Sequence, residues 1–175
     1  MRIVSGMQAG ADRGGADAAM AVGLHVSGYV PKGRLAEDGK IHPRYQCIEL
    51  GTTSYPDRTR MNVLQAHATL IFTHGPIIQG SWSWLTVDFC KQNMRPYKHV
   101  DLDNVFGPTP ETNRLPRVMD IGEWFGLVQA IFLEHAPVIV NIAGSRESKA
   151  PGIQEEVRSL LEEVFRAYRI GEGSH

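Results

Sequence analysis

Hydrophobic positions fall into short solid runs separated by amphipathic stretches, the pattern of strands alternating with helices. Arg2–Ser5 predicts a strand, and Gly6–Ala11 a glycine-punctuated turn. Asp12–Gly23 reads as an alanine-rich helix stopped by Gly23. His25–Val30 predicts a second strand, closed by Pro31 and Gly33. From Gly33 to Tyr55 glycine, proline and charge mix with weak periodicity, which predicts a long connection; such loops in compact domains are usually functional or partly disordered. Asp57–His67 predicts a helix and Ala68–Thr73 (ATLIFT) a fully buried strand. Trp84–Met94 predicts a helix and Tyr97–Asp101 a strand. Asn104–Asp120 holds three prolines and predicts irregular chain. Ile121–His135 predicts a helix and Pro137–Ile142 the last strand. The final helix, Ile153–Tyr168, has the clearest pattern: Ile153, Val157, Leu160, Leu161, Val164 and Tyr168 share one face. Glu155, Arg158, Glu162 and Arg166 fall elsewhere.

Strands joined through helices need crossover connections, so the expected fold is α/β, a mostly parallel sheet with helices on both faces. A chain of 175 residues fits one domain, expected over residues 1–170, with 171–175 as a frayed tail. With 42% hydrophobic and 21% charged residues it is an ordinary globular composition, neither disordered nor coiled-coil. Eighteen basic against nineteen acidic side chains give a net charge of -1, which argues against a general nucleic-acid or membrane-surface binder. No apolar run approaches the roughly 20 residues of a membrane helix. The opening residues read directly as strand, leaving no room for a signal peptide. Cys47 and Cys90 have no CxxC or zinc spacing, so reduced thiols and a cytoplasmic location are expected.

Ligands of open parallel sheets bind beyond the carboxyl ends of the strands, and three strand ends here are rich in glycine and polar residues. The first runs Ser5-Gly6-Met7-Gln8-Ala9-Gly10-Ala11-Asp12-Arg13. Gly6 and Gly10 allow close backbone approach, and the following helix points unpaired amides and partial positive charge at the turn, as in phosphate sites. The spacing is neither GxGxxG nor a P-loop. The same residues also serve a plain turn, with Asp12 as a helix cap. Arg13 reads either as a bidentate donor to an anion or as the partner of Asp17, four residues on. The second strand end leads to Gln79-Gly80-Ser81, where Gly80 and Ser81 present amides to a helix start. Trp82 and Trp84 share a face only if that stretch is extended. The third is Asn141-Ile142-Ala143-Gly144-Ser145-Arg146-Glu147-Ser148. Arg58, Arg60 and Asn62 open the Asp57–His67 helix, where positive charge opposes the helix dipole; the arginines read either as facing an anion or as solvated and partly offset by Asp57. Lys32 and Arg34, after the second strand, read either as a pair that closes over a bound anion or as a plain basic turn. Glu37-Asp38 reads as a solvated pair in a glycine turn. Seven histidines show no HxH or HExxH grouping, so no protein-ligated metal site is expected.

The first block resembles the SGGQTGADR opening of the molybdenum carrier proteins, the circularly permuted YpsA-like branch of the SLOG superfamily. Tyr29-Val30-Pro31-Lys32-Gly33-Arg34 with Ala36-Glu37-Asp38-Gly39 is similar to that family's CPKGRRAEDG. Tyr55, Arg58-Thr59 and Asn62-Val63 are similar to its Y-x-x-RT-x-x-NV, Ala68–Ile71 to its DATLI strand, and Asn141–Ser148 to its NVAGPRES. The blocks are co-linear over nearly the whole chain. The resemblance implies a Rossmann-like sheet whose strand ends bind a phosphorylated nucleotide-type or pterin ligand, the molybdenum cofactor (molybdopterin) included. The ligand residues it points to are Gly6, Gln8, Gly10, Asp12, Arg13, Lys32, Arg58, Arg60, Asn62, Gly80, Ser81, Asn141, Gly144 and Ser145. It also implies a homo-oligomer. Met7 and Ala9 stand where the family has Gly and Thr, and the PGGxGT turn of its hydrolase branch is missing. The leading expectation is therefore a binding protein for a small phosphorylated ligand. The alternative is a nucleoside monophosphate N-glycosidase, for which Asp12, Asp38 and Asp88 are the candidate carboxylates. A third reading leaves the glycine turns purely architectural.

Overall fold

The computed structural model describes residues 1–103, 110–132 and 137–172. Its centre is a five-stranded parallel sheet of order β2-β1-β9-β7-β8. The strands are β1 (Arg2–Ser5), β2 (His25–Ser27), β7 (Ala68–Thr73), β8 (Tyr97–Asp101) and β9 (Ile139–Gly144). The helices are α1 (Ala11–Ala21), α2 (Tyr55–Gln65), α3 (Trp82–Gln92), α4 (Pro110–Ile131) and α5 (Ile153–Glu172). This is the expected α/β, Rossmann-like architecture.

Alternation along each strand divides the core between the two faces. Ile3, Leu70, Phe72, Val140 and Ile142 join Ile121 and Phe125 of α4 and Ile153, Val157, Leu161 and Phe165 of α5 in one buried cluster. Val4, Ile71 and Ala143 are buried outside it, on the side of α2 and α3 with Val63 and Val87. The last strand, β9, lies between β1 and β7, with β2 and β8 at the edges. Chain directions therefore diverge at the centre of the sheet, where a crevice opens beyond the carboxyl ends of β1, β9 and β7.

The predicted strand His25–Val30 is divided. β2 pairs with β1, whereas β3 (Tyr29–Val30) turns away to pair with β6 (Ile48–Glu49). The break falls at Gly28, whose φ is 150° and where a Cβ would stand 2.0 Å from the Ser5 carbonyl oxygen. The long connection is not featureless: it holds β6 and a hairpin of β4 (Leu35–Ala36) and β5 (Gly39–Lys40). Helices α2 and α3 each begin two residues before the prediction because a serine caps them. Ser54 Oγ accepts the Asp57 amide and Ser81 Oγ the Trp84 amide. The proline-rich stretch is helical from Pro110, a residue suited to a helix's first position; residues 104–109 lie outside the described residues, as do 133–136 of the helix predicted through His135. α5 continues through Gly171 to Glu172, past the expected start of the tail, and 173–175 lie outside the described residues. Among the described residues no helix is long and apolar enough to cross a membrane.

Candidate functional site

The first strand end folds around one of its own side chains. Ser5 Oγ donates to the Asp12 carbonyl at 2.7 Å and accepts the Met7 amide at 3.2 Å, with Met7 at a φ of 56°. The turn thereby sets the buried Asp12 carboxylate under the Gln8 backbone amide and 3.1 Å from Arg58 Nη1. Burial pushes the Asp12 carboxyl up, while the Arg58 and Arg146 guanidiniums and the Gln8 amide pull it down. Gly6 is needed for this pair: a Cβ there would stand 1.9 Å from Arg58 Nη1 and 2.6 Å from Asp12 Oδ2. The anion expected at this turn is thus Asp12 itself. Gly6 makes room for Arg58, and Asp12 does not cap α1, whose N-cap is Gly10 without a side-chain bond. Gly10 donates to Gln154 Oε1 at 3.3 Å, and Ala11 donates to the Ser145 carbonyl at 3.0 Å. The helix-start amides are in part already answered from within the chain.

Arg13 is turned away from the crevice. Both its terminal nitrogens bond Asp38, Nη2 at 3.0 Å, and hold that carboxyl below its usual range. Asp17, its alternative partner, instead takes Arg44 and the Tyr45 hydroxyl. Asn62 bonds both the amide and the carbonyl of Tyr29, at 2.7 and 3.0 Å, and so holds β3 rather than a ligand. Asn141 reaches Thr69 Oγ1 on the neighbouring strand at 3.4 Å. Lys32 and Arg60 are exposed and line neither recess described below. Arg34 is spent on the carbonyls of Ile41, His42 and Tyr45 and on Cys47 Sγ. Glu37 and Asp38 are both exposed, as expected, and each has a partner: Glu37 holds Ser148 while Asp38 holds Arg13.

What the strand ends do enclose is a cavity of about 510 Å³ between the loops that follow β7 and β9. Gly80 and Ser81 form one wall with Trp82 and Ser83, and Gly144, Ser145 and Arg146 the other, with Lys149 and His74 at the edges. Pro76, Ile77 and Ile78 supply apolar surface. A narrower cleft, lined by Gln8, Asp12, Arg58, Thr59 and Thr86, adjoins it and shares Trp82 and Gly144 to Arg146. Seven of the fourteen sequence-picked residues, Gly80, Ser81, Gly144, Ser145, Gln8, Asp12 and Arg58, therefore meet here, and the rest bond within the fold or lie elsewhere. Trp82 is helical, so it does not share a face with Trp84; it alone of the two walls the cavity, 43% exposed.

The residue that sequence reasoning passed over is Arg146. Its Cζ sits 5.0 Å from the ring centres of both Tyr55 and Trp82. Among the described residues no acceptor bonds its guanidinium. The turn that carries it is fixed on every side. Ser145 donates to the Phe72 carbonyl, Glu147 donates to the Ala9 carbonyl and caps α5 through Gly152 and Gln154, and Ser148 is held by Glu37. A cation held by two aromatic faces on a rigid turn, with its five N–H donors uncommitted, is a preorganised receptor for an anion. Its signal in the sequence was an arginine inside a glycine-and-serine strand end. His74, also passed over, places Nδ1 2.5 Å from Asp103 and Nε2 3.1 Å from Glu156.

The three candidate carboxylates do not converge on the cavity. Asp12 is locked under Arg58, Asp38 is paired with Arg13, and Asp88 accepts from Gln92 on α3 at 2.7 Å. Among the described residues no group of three or more His, Cys, Asp or Glu is placed to hold a metal ion.

A parallel sheet with a cavity beyond the carboxyl ends of its central strands defines a Rossmann-like α/β protein. The chain belongs to the circularly permutated YpsA SLOG family, whose model matches residues 3–165. It is similar over 95% of its length to the crystal structure of a putative molybdenum carrier protein from Syntrophus aciditrophicus SB, with 34% identity, a TM-score of 0.72 and 93% of that chain covered. No curated protein matches it.

Proposed function

We propose that the chain is a binding protein for a small phosphorylated ligand of nucleotide or pterin type, the molybdenum cofactor among them, held in the cavity beyond β7 and β9. The observation that carries this reading is Arg146. Its guanidinium has no hydrogen-bonding partner among the described residues, and it borders the cavity and the cleft together. A phosphate accepts two parallel bonds from a guanidinium, and Lys149 adds a second positive charge at the rim. Ser83 and Trp82, in the first turn of α3, bring the positive end of that helix to the same wall. Trp82 and the Pro76–Ile78 stretch offer apolar surface to a flat heterocycle. The residues present thus suit the phosphate and ring of a phosphorylated pterin. Any metal in such a cofactor would be cargo, carried by the ligand's own donor atoms. The family membership and the molybdenum-carrier description of the similar crystal structure agree with this reading.

Thermal unfolding in the presence of inorganic phosphate, nucleoside monophosphates and phosphorylated pterins tests it. A ligand at one hundred times its Kd stabilises the folded state by about 2.7 kcal/mol, which raises the melting temperature measurably. No stabilisation by any phosphorylated compound overturns the reading. Release of free base from a nucleotide, seen by chromatography, replaces it with the N-glycosidase activity.

A further inference from the structure

Two buried polar atoms beside the cavity have no hydrogen-bond partner among the described residues, and both belong to residues that line the narrow cleft. Gln8, 2% exposed, donates Nε2 to the Leu35 carbonyl at 2.8 Å, which leaves Oε1 as a spare acceptor. Arg58, 8% exposed, gives Nη1 to Asp12 and keeps Nε–H as a spare donor. The cleft holds about 20 Å³, space for one water-sized group. Thr59 and Thr86 on its walls have already given their hydroxyl hydrogens, to the carbonyls of Tyr55 and Trp82.

Charge and size together select what belongs there. Arg58 is paired with Asp12, and what its neighbours leave unused at the cleft is one donor and one acceptor. A carboxylate or a phosphate is too large for that space, and an ammonium is repelled by Arg58 and Arg146. A hydroxyl fits, because it donates one hydrogen bond and accepts another through the same oxygen. A buried acceptor and donor left unanswered are costly, so a site of this kind discriminates strongly against a ligand that lacks the matching group.

From this geometry we infer that the cleft is a hydroxyl-reading subsite for the ligand whose anionic group rests on Arg146. The ligand class is then a phosphomonoester carrying a hydroxyl a few bonds from its phosphate. Gln8 and Arg58 are the specificity-determining pair, and Arg146, which lines both spaces, joins the two subsites. The inference rests on the binding function proposed above.

Isothermal titration with glycerol 3-phosphate and propyl phosphate, which share a three-carbon chain and differ in their hydroxyls, tests it. The wild-type protein is expected to bind glycerol 3-phosphate about tenfold more tightly, roughly 1.4 kcal/mol. Gln8→Met is expected to bring the two within twofold while the affinity for propyl phosphate stays where it was. Because Gln8→Met also removes the bond to Leu35, a second readout uses the wild-type protein alone. The Arg58 Nε–H resonance is expected to shift on adding glycerol 3-phosphate and to stay in place with propyl phosphate. Equal affinities, or equal shifts, overturn the hydroxyl subsite while leaving the binding function standing. Failure of both compounds to bind overturns the binding function itself, and the subsite with it.

Discussion

Glu37 accepts both the amide and the hydroxyl of Ser148, at 3.0 and 2.6 Å, across 111 residues of chain. The contact ties the β4–β5 hairpin to the turn that carries Arg146, two residues before Ser148. The hairpin is itself anchored on α1 through Asp38 and Arg13, so it braces the cavity wall from outside. Both partners are exposed, and their bonds add little to global stability. Their effect falls on the order of the turn. Glu37→Ala is expected to weaken phosphate binding about fivefold, the loss of about 1 kcal/mol of positioning. The melting temperature should move little. Glu37→Gln, which keeps an acceptor for the amide, should recover most of the affinity. Titration of both variants and of Ser148→Ala checks this, and a double-mutant cycle should show the two positions coupled.

Gly6 gives the sharpest stability prediction. Any side chain there collides with the buried pair of Arg58 and Asp12. Gly6→Ala must push Arg58 out of register and leave a buried carboxylate without its partner. Breaking such a pair costs about 3 kcal/mol or more. Denaturant unfolding should show a loss of that order. Arg58→Met should be comparably harmful, because it strands the same carboxylate.

The sheet was legible because its strands are short apolar runs, and α5 because its apolar residues keep strict helical spacing through Tyr168. The helix starts at Tyr55 and Trp82 were misplaced by two residues because Ser54 and Ser81 act as caps, a local signal that charge and aromatic content obscured. The site was legible as a region and not as a set of residues. Gly80, Ser81, Gly144 and Ser145 lie on the cavity as their positions at strand ends imply. Arg13 and Arg58 carry the right chemistry, but each is claimed by a carboxylate distant in sequence, Asp38 and Asp12. Spacing along a chain says nothing about such pairings, since they arise only when segments 25 or 46 residues apart are brought together. Arg146 stands out by elimination: its neighbours Glu147 and Ser148 are satisfied within the fold.

Arg146→Met should separate binding from stability. The methionine keeps apolar contact with Tyr55 and Trp82 while removing the charge. The two cation–π contacts of an exposed site contribute about 0.5–1 kcal/mol each, so unfolding should shift by no more than about 2 kcal/mol. Stabilisation of the wild-type protein by nucleoside monophosphates should vanish in the variant. Arg146→Lys should retain weak binding, because a point charge replaces a planar two-bond donor. Unchanged nucleotide stabilisation in Arg146→Met would place the anion elsewhere.

His99 sets the acid limb of the stability profile near the cavity. Thr73 Oγ1 gives its hydrogen to the Gly75 carbonyl at 2.6 Å, so His99 Nε2, 2.7 Å away, is the donor to that hydroxyl. Burial lowers the pKa of His99 below its ordinary 6.5, and the nearby Asp101 carboxylate only partly opposes this. Between the lowered value and 6.5 the unfolded chain binds the proton more readily than the folded one. Folding stability therefore rises with pH across that interval. The contribution is fully present above pH 6.5 and is lost as pH falls through the folded-state pKa. His99→Gln, whose amide can still donate to Thr73, should give a shallower fall in stability between pH 6.5 and 5 than the wild type. Denaturant unfolding at half-unit pH steps measures the difference, and identical slopes for the two proteins would refute the assignment.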